Sequence, residues 1–422
     1  MSDVNVPVGY KKTEIGFIPN DWNVAPLKSL LKEPPKYGIN APAVPLVGKL
    51  PVYIRITDIT EDGYYSPEKQ AGVNSQFSDS YILNDGDIVL ARTGASVGKS
   101  YLYRKEDGVL VYAGFLIKVS PDDKALNPSF LFQYLKTEQY WAWVIVNSMR
   151  SGQPGVNGNE YGNLPIPVPN VKEQTAIANA LSDVDNLLQS LEKLISKKEA
   201  IKTATMQQLL TGKTRLPEFA TREDGSQKGF KQTDLGQIPE DWGFSTLGEI
   251  ARINMGQSPK SLNYNKSAIG LPLVQGNADI LNRKTIIRNY TSQITKTADK
   301  DDLILSVRAP VGEVAIADFN CCIGRGVCSI KYPNAYLYHW LIHFESQWEK
   351  FSKGSTFDSI NSHELKAISL CIPFLAEQTA IATILSDMDA EIKALNTRLA
   401  KTQDIKQGMM QQLLTGKLRL PH

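Results

Sequence analysis

Apolar residues recur at helical spacing in two long stretches of this chain. Within residues 173–217 the spacing alternates between four and three residues, and the same alternation returns within residues 377–421. The first set of apolar positions is Ile177, Leu181, Val184, Leu188, Leu191 and Ile195, and the second is Ile381, Leu385, Met388, Ile392, Leu395 and Leu399. This alternation is the a/d seam of a coiled coil, so it predicts two long helices that end near Gly212 and Gly416.

The two stretches are copies of one sequence. They align without a gap at an offset of 204, and 25 of the 45 positions are identical. About 38 residues at 1.5 Å each make a rod of roughly 57 Å. Because an exposed apolar seam on each rod would be costly, we expect the two helices to pack on each other.

A second repeat stands in front of each half. Residues 13–22 (TEIGFIPNDW) match residues 233–242 (TDLGQIPEDW) at an offset of 220. Runs of β-branched and aromatic residues follow each copy, and they predict strands at residues 51–59, 87–91, 109–119, 272–280, 302–306 and 327–331. One amphipathic helix is predicted in each half, at residues 128–145 and 336–351.

These elements predict an α+β chain with a pseudo-two-fold internal repeat. Two mainly-β globular domains, residues 1–170 and 217–372, are joined by two long helices at residues 171–216 and 373–422, which form an antiparallel coiled coil. With 42 % hydrophobic and 21 % charged residues, the composition is that of an ordinary globular protein. The four cysteines are a poor disulfide framework, and no secretory or membrane segment is evident, so we expect a cytoplasmic protein and no membrane contact.

Two motifs that resemble sites of known chemistry are better explained by structure. Residues 94–100 (GASVGKS) are one residue short of a phosphate-binding P-loop, so a turn between strands is favoured. His339 and His343 lie four residues apart downstream of three cysteines, without the paired spacing of a zinc site. No catalytic residue, metal site or cofactor site is therefore predicted in this chain. Because no chemistry recurs in both halves, the repeat favours binding over catalysis.

Polar residues that differ between the copies are the candidates for reading a ligand. At an offset of 221, PVYIRITDI aligns with PLVQGNADI, and the differing residues are Arg55 and Thr57 in one copy and Gln275 and Asn277 in the other. Arginine pairs with guanine, and glutamine or asparagine with adenine, as bidentate readers of DNA bases. In this alignment Gln275 falls opposite Ile54, so the two sets would face opposite sides of an ungapped strand. A ligand-free strand surface is the alternative.

Further basic and polar residues are candidates for contacts with a DNA backbone. Such contacts fix the register of a protein on DNA without reading sequence. The set comprises Arg92, Thr93, Lys99, Arg104, Ser258, Lys260, Arg308 and Lys353. Gly-rich polar loops at residues 151–159 and 353–359 precede each long helix and could lie near the same backbone. The net charge of only +2 offers no strongly basic block, and solvated turns are an equal alternative.

The chain resembles the specificity subunit of type I restriction-modification enzymes. The resemblance rests on the duplicated GxIPxDW segment and on a helix of the form P-x-x-x-EQ-x-x-I-x-x-x-L-S-x-x-D that ends LLTGK-x-R-L. Its first copy comprises Pro169, Glu173, Gln174, Ile177, Leu181, Ser182 and Asp185, and its second Pro373, Glu377, Gln378, Ile381, Leu385, Ser386 and Asp389. The resemblance implies that the two globular domains are target-recognition domains and that the paired helices are spacers.

The family also implies partners. Each target-recognition domain would read one half of a bipartite double-stranded DNA target, and the spacer helices would set the gap and dock two methyltransferase subunits. Those subunits would bind S-adenosylmethionine and modify adenine, and restriction subunits that use ATP and Mg would join for cleavage. Two alternatives remain open: a DNA-cutting enzyme with an unrecognised metal-dependent carboxylate site, and a scaffold without DNA contact.

Overall fold

The computed structural model describes residues 6–149, 152–234, 236–348 and 359–421. The chain divides into two compact units. Unit 1 comprises residues 1–192 and 398–422, and unit 2 comprises residues 193–397. None of the helices within the described ranges combines the length and apolar character needed to cross a membrane.

Two helices of 39 residues dominate the helical content of the described chain. The α-helices are α1 (Pro128–Tyr134), α2 (Glu138–Ser148), α3 (Gly158–Gly162), α4 (Val171–Leu209), α5 (Pro217–Ala220), α6 (Leu247–Ile250), α7 (Tyr336–Phe344), α8 (Ser362–Lys366) and α9 (Leu375–Leu413). Short 3-10 helices lie at Leu27–Leu30, Ile56–Asp58, Ser78–Tyr81, Gly94–Ser96, Lys105–Asp107, Ser261–Asn263, Asn277–Asp279 and Glu345–Gln347.

Unit 1 contains two four-stranded sheets, with orders β10-β6-β7-β5 and β4-β11-β8-β9, and two strand pairs, β1-β2 and β12-β3. Its strands are β1 (Tyr10–Thr13), β2 (Gly16–Pro19), β3 (Asn23–Pro26), β4 (Lys36–Tyr37), β5 (Ala43–Pro45), β6 (Val52–Ile54), β7 (Ala71–Val73), β8 (Ile88–Ala91), β9 (Ser100–Leu102), β10 (Leu110–Tyr112), β11 (Leu116–Val119) and β12 (Pro165–Val168). Strands β6 and β10 run parallel, whereas the other named pairs are antiparallel.

Unit 2 repeats this plan with larger sheets of orders β16-β26-β23-β24-β20-β19 and β17-β21-β18-β25-β22. Its strands are β13 (Phe230–Thr233), β14 (Gly236–Pro239), β15 (Gly243–Thr246), β16 (Arg252–Met255), β17 (Tyr264–Asn265), β18 (Leu271–Val274), β19 (Ile280–Leu281), β20 (Lys284–Thr285), β21 (Asn289–Thr291), β22 (Thr297–Ala298), β23 (Leu303–Ser306), β24 (Val314–Ile316), β25 (Cys321–Ile323), β26 (Val327–Lys331) and β27 (Ser369–Ile372). The parallel pair β18 and β25 corresponds to β6 and β10.

The long helices are antiparallel, as the sequence predicts. Within unit 1, Lys406 of α9 approaches Asp185 of α4 at 2.6 Å, and within unit 2, Lys198 of α4 approaches Glu391 of α9 at 2.7 Å. The α4 number thus rises as the α9 number falls. Each helix begins inside a domain core, because the first seam residues of α4, Ile177 and Leu181, are fully buried there.

The seam residues differ in burial along the helices. In unit 1, Ile177 and Leu181 share a core with Leu413 and Leu414, and the equivalent residues of unit 2 repeat this arrangement. The buried seam positions are Ile177, Leu181, Leu191, Ile195, Ile381 and Leu385. The half-buried seam positions are Val184, Leu188, Met388, Ile392, Leu395 and Leu399.

Three predicted elements differ from the structure. The strand predicted at residues 51–59 ends at Ile54, because the Asp58 carboxylate accepts a hydrogen bond from the Arg55 backbone N–H and closes a 3-10 turn. The helix predicted at residues 128–145 is two helices, since Thr137 caps a new start by accepting from the Tyr140 N–H. The helix predicted at residues 336–351 ends as an α-helix at Phe344, and its last residues lie outside the described ranges.

Candidate nucleic-acid interface

The repeated motifs converge on one ion-paired cluster in each unit. In unit 1 the cluster comprises Asp21, Trp22, Glu173 and Arg419, and we call it motif cluster 1. Arg419 donates to the Glu173 carboxylate at 2.8 Å and to both oxygens of Asp21 at 2.9 and 2.7 Å. The Trp22 indole N–H donates to Glu173 at 3.2 Å, and both Trp22 and Glu173 are fully buried. The Arg419 hydrogen bond lowers the pKa of Asp21.

Unit 2 builds the same cluster from the other copies. Motif cluster 2 comprises Asp241, Trp242, Glu377 and Arg215. Arg215 donates to Glu377 at 2.7 Å and to Asp241 at 2.8 Å, and the Trp242 indole donates to Glu377 at 3.2 Å. The arginine that closes α4 therefore pairs with the glutamate that opens α9, and the reverse holds in unit 1. Since both copies form the same internal frame, these motifs hold the fold together and leave ligand reading to other residues.

The glutamine of the EQ motif joins this frame. Gln174 donates to the Pro169 carbonyl at 2.9 Å, and Gln378 donates to the Pro373 carbonyl at 2.8 Å. Each glutamine therefore fixes the chain that leads into its long helix. Gln174 also accepts from the Asn127 N–H at 2.8 Å, which ties the start of α1 to α4.

In unit 1 a three-residue loop joins the places of Arg55 and Arg92. We call residues 113–115 (Ala-Gly-Phe) the first central loop. The Ala113 N–H donates to the Ile54 carbonyl at 3.1 Å, and the Arg92 N–H donates to the Phe115 carbonyl at 3.1 Å. Arg55, which follows Ile54, thus lies on one side of the loop, and Arg92 lies on the other.

Arg55 is held by a neighbouring carboxylate. Its Nε donates to Asp58 Oδ2 at 2.9 Å and its Nη2 donates to Asp58 Oδ1 at 2.7 Å, while Asp58 is only 2 % exposed. The hydrogen bond to Asp58 raises the pKa of Arg55. Nη1 makes no hydrogen bond within the described residues, so a fixed, charged guanidinium keeps one donor group for a ligand.

Arg92 and Thr93 lie against the Gly-rich loop. The Val156 N–H donates to the Arg92 carbonyl at 2.9 Å, and Thr93 pairs with Gly155 in an antiparallel bridge. The Arg92 guanidinium stacks over the Tyr37 ring at 5.1 Å. Arg92, Thr93 and the described part of the Gly-rich loop therefore form one surface.

Three other candidates of unit 1 lie elsewhere. Lys99 is 13 % exposed and donates to Glu61 at 2.7 Å, so its charge is largely neutralised. Arg104 stacks over the Tyr64 ring at 4.2 Å and lines a cavity of about 400 Å³ against α4. Thr57 lies exposed on the 3-10 turn after β6. Within the described residues, the side chains of Lys99 and Arg104 contact Glu61 and Tyr64, respectively, and not Arg92 or Thr93.

Unit 2 has a corresponding central loop, residues 324–326 (Gly-Arg-Gly), which we call the second central loop. The Gly324 N–H donates to the Val274 carbonyl at 2.8 Å, and the Val307 N–H donates to the Gly326 carbonyl at 2.9 Å. These bonds match those of the first central loop. Val274 therefore corresponds to Ile54, and Gln275 to Arg55.

With this correspondence, Gln275 no longer falls opposite Ile54, and the candidate base-reading residues of the two units lie at equivalent positions. The Gln275 N–H donates to Asp279 at 2.7 Å, as the Arg55 N–H donates to Asp58, but the turn of unit 2 is one residue longer. The two segments therefore align at an offset of 220 up to the turn and at an offset of 221 after it, and not at 221 throughout. Arg55 and Gln275 occupy equivalent places, each directly after its strand.

The remaining candidates of unit 2 are spread around this loop. Asn277 donates to Glu313, and the side chain of Lys260 is exposed. The Ser258 hydroxyl accepts from the Arg325 N–H at 3.1 Å. Arg308 is exposed and its backbone pairs with Ser359. Lys353 lies outside the described residues.

Arg325 is a candidate that the sequence comparison did not select. It is exposed at the centre of the second central loop, where unit 1 has Gly114. The available signal was a charged residue between two glycines, directly before the strand predicted at residues 327–331. Its significance depends on loop pairing, which the sequence does not reveal.

The buried histidine and cysteines of unit 2 pack in its interior and do not form a metal site within the described residues. His339 is 1 % exposed, and its Nε2 lies 3.0 Å from the Ser386 hydroxyl. Burial lowers the pKa of His339 to about 4. Cys321, Cys322 and Cys328 are buried in strands, and the described part of the chain contains no group of three potential metal-ligating side chains.

Comparisons with known proteins agree with this architecture. The family profile described as "Type I restriction modification DNA specificity domain" matches residues 19–203 and 239–404. The putative type I restriction enzyme MjaX specificity subunit of Methanocaldococcus jannaschii is 32 % identical, with 97 % of each chain covered. The MjaVIII specificity subunit of the same organism is 24 % identical, with 96 % of this chain and 94 % of that one covered.

Solved structures share the fold. The S subunit of the type I restriction-modification system of M. genitalium aligns with a TM-score of 0.60 at 17 % identity, covering 93 % of this chain and 96 % of that one. A chain from a structure of a type I R-M system aligns with a TM-score of 0.54 at 22 % identity, covering 95 % of this chain and 99 % of that one.

Proposed function

The chain belongs to the type I restriction-modification DNA specificity family, and from this premise we propose that it is the sequence-recognition subunit of such a complex. Each unit reads one half of a bipartite DNA target. The observation that carries this proposal is a repeated frame with different half-buried polar residues in equivalent places. Arg55 and Gln275 follow equivalent strands, and these residue types prefer guanine and adenine, respectively.

The chain contributes recognition and assembly, and its partners contribute chemistry. Two methyltransferase subunits that bind S-adenosylmethionine dock on it and methylate adenine. Restriction subunits that use ATP and Mg join this complex for cleavage. The near-neutral charge of the chain fits this division, because the methyltransferase subunits can supply many of the phosphate contacts that DNA binding requires.

Methylation mapping tests this function directly. The chain is purified in complex with its methyltransferase partner and incubated with S-adenosylmethionine and genomic DNA. The expected result is adenine methylation confined to one split motif. Methylation without sequence preference would refute recognition, and metal-dependent cutting by the isolated chain would instead support a nuclease. A complex without salt-dependent DNA affinity would support a scaffold.

The long helices are proposed to set the gap between the half-sites. Four residues inserted after both Ser196 and Ala400, which are equivalent at the offset of 204, add about one turn and roughly 6 Å to each helix. At about 3.4 Å per base pair, the gap should widen by one or two base pairs. The gap is read from the methylated motif. An unchanged gap in an active complex would rule out the spacer role.

A further inference from the structure

The two central loops occupy the same place in their units but differ in their middle residue. In each unit the loop is tied on one side to the strand before the reader residue and on the other to the strand that leads to Arg92 or Arg308. Unit 1 has Gly114 at the centre, and unit 2 has Arg325. A cationic side chain therefore stands beside Gln275 where the corresponding place beside Arg55 has none.

The backbone on both sides of Arg325 is closely packed. The two flanking glycines pack on Gln275: a Cβ on Gly324 would lie 3.1 Å from the Gln275 Cα, and a Cβ on Gly326 would overlap the Gln275 carbonyl oxygen. The Arg325 N–H is held by the Ser258 hydroxyl at 3.1 Å. The loop backbone is thus fixed on both sides, and only the Arg325 side chain projects from it.

The guanidinium of Arg325 is available to a ligand. Across residues 6–149, 152–234, 236–348 and 359–421, it forms no hydrogen bond or ion pair, and the residue is exposed. Arg55 of unit 1 differs in this respect, because its Nε and Nη2 donate to Asp58. In unit 2 the corresponding carboxylate, Asp279, is bonded to the Gln275 N–H.

Gln275 presents a second oriented group beside this arginine. The Tyr264 hydroxyl lies 3.2 Å from Gln275 Oε1 and 3.1 Å from the Pro259 carbonyl oxygen, so its one proton is shared between two acceptors. Within the described residues the Gln275 side-chain N–H groups make no hydrogen bond. An arginine and a glutamine on adjoining backbone segments can contact neighbouring base pairs in a groove. A basic residue used only for phosphate contact would need no such neighbour.

We propose that Arg325 is a base-reading residue of unit 2 and recognises a guanine in its half-site, next to the base pair read by Gln275. This inference rests on the proposed function. The guanidinium would donate to guanine O6 and N7 together. In unit 1, where the loop centre is glycine, the arginine donor for a base is Arg55 Nη1, because Nε and Nη2 are bonded to Asp58.

The test compares Arg325→Ala and Arg325→Lys with the unchanged chain, each in complex with the methyltransferase subunit. Each complex methylates a DNA library randomised over both half-sites, and the methylated molecules are sequenced. For Arg325→Ala we expect selectivity to fall about 5- to 150-fold at one guanine position of one half-site. Selectivity in the other half-site should not change, which makes it the internal control.

The lysine variant separates base reading from phosphate contact. Lysine keeps the charge and can still donate to guanine but lacks the planar guanidinium fork, so Arg325→Lys should lose part of the guanine selectivity while keeping the salt dependence of binding. Arg308→Ala is the matched control, because removing a phosphate-binding side chain there should weaken binding to all sequences and lower the salt slope by about one.

Three results would overturn the inference. One is a guanine preference unchanged in Arg325→Ala, and another is a uniform loss of affinity that Arg325→Lys restores, which would make Arg325 a phosphate contact. Loss of selectivity in both half-sites with a lowered melting temperature in both variants would make it structural. If the unchanged complex itself shows no sequence preference, the proposed function fails instead, so the two failures are distinguishable.

Discussion

Replacing the arginine of each motif cluster by methionine should destabilise the two units unequally. Arg215 is 7 % exposed and its partner Glu377 is 3 % exposed, whereas Arg419 is 37 % exposed beside the fully buried Glu173. Breaking a buried ion pair by removing one partner costs about 3–5 kcal/mol, because the remaining charge stays buried. We expect this cost for Arg215→Met.

Arg419→Met should cost less. Water reaches the Arg419 side and the exposed Asp21, so hydration replaces part of the interaction that the substitution removes. Removing a hydrogen bond to a charged group costs about 1.5–3 kcal/mol, and this range applies here. In both variants the glutamate retains a tryptophan indole N–H donor. Both glutamates are buried, so the difference comes from the arginine side, where water can reach Glu173 in place of Arg419 but cannot as easily reach Glu377 in place of Arg215.

Hydrogen exchange measured by mass spectrometry resolves the two units, which a single melting curve would combine. Arg215→Met should accelerate exchange in unit 2, around residues 236–246, and Arg419→Met in unit 1, around residues 16–26. Adding Glu377→Gln to Arg215→Met should restore at least about 1 kcal/mol, since a neutral amide needs no cation. Strictly additive effects, or equal losses in both units, would refute this reasoning.

Three smaller perturbations test other features. Burial lowers the pKa of His339 to about 4, so between pH 6.5 and pH 4 the unfolded chain binds a proton that the folded chain does not. Over this range the free energy of unfolding of unit 2 should fall by about 3 kcal/mol. Hydrogen exchange measured over a pH series should show a smaller fall for His339→Gln. Burial likewise lowers the pKa of Lys136 to about 8, so the stability of unit 1 should rise between pH 8 and 10.5. Lys136→Met should stabilise unit 1 by up to about 3 kcal/mol at pH 7 and by less above pH 10. An equal gain at both pH values would contradict this prediction. Gly416→Ala should destabilise unit 1 by more than about 1 kcal/mol, because φ is +70° and a Cβ would overlap Pro19. Gly408 has open space around it, so Gly408→Ala should stabilise α9 by about 0.5–1 kcal/mol. Urea unfolding measures both changes, and the opposite order of stabilities would contradict both predictions.

The long helices could be predicted because their signal is local and repeats over many turns. The seam from Ile177 to Ile195 needs no knowledge of the partner to predict a helix. The strand predicted at residues 51–59 is too long for the same local reason, because β-branched and aromatic residues continue through Ile59. What ends the strand is the bond from the Arg55 N–H to the Asp58 carboxylate, which composition does not show.

The motif clusters could not be assembled from sequence, because their members are far apart in the chain. Trp22 and Glu173 are separated by 151 residues, and Glu173 and Arg419 by 246. Two glutamates and two arginines allow either arginine to serve either glutamate. The structure pairs each glutamate with the arginine of the other copy, and that choice follows from the antiparallel course of the helices.

The equivalence of Arg55 and Gln275 was hidden by a single extra residue in the turn of unit 2. An ungapped alignment applies the offset of 221, which is correct only after the turn, to the strand before it as well. It therefore places Gln275 opposite a buried isoleucine, Ile54. Backbone hydrogen bonds locate the extra residue between the strand end and the aspartate. The backbone hydrogen bonds of the two central loops reveal Arg325, because only these bonds show that it lies where unit 1 has Gly114.

The internal repeat separates two kinds of residue within one chain. Residues identical in both copies, such as the tryptophan, glutamate and arginine of the motif clusters, are turned into each unit and make the same contacts twice. Residues that differ at equivalent positions, Arg55 and Gln275 or Gly114 and Arg325, lie where the backbone is fixed but a side chain can meet a ligand. Since a shared frame makes these positions comparable, a substitution at one of them can alter what one unit reads without altering how it folds. The structure therefore predicts that selectivity at the two half-sites can be changed independently.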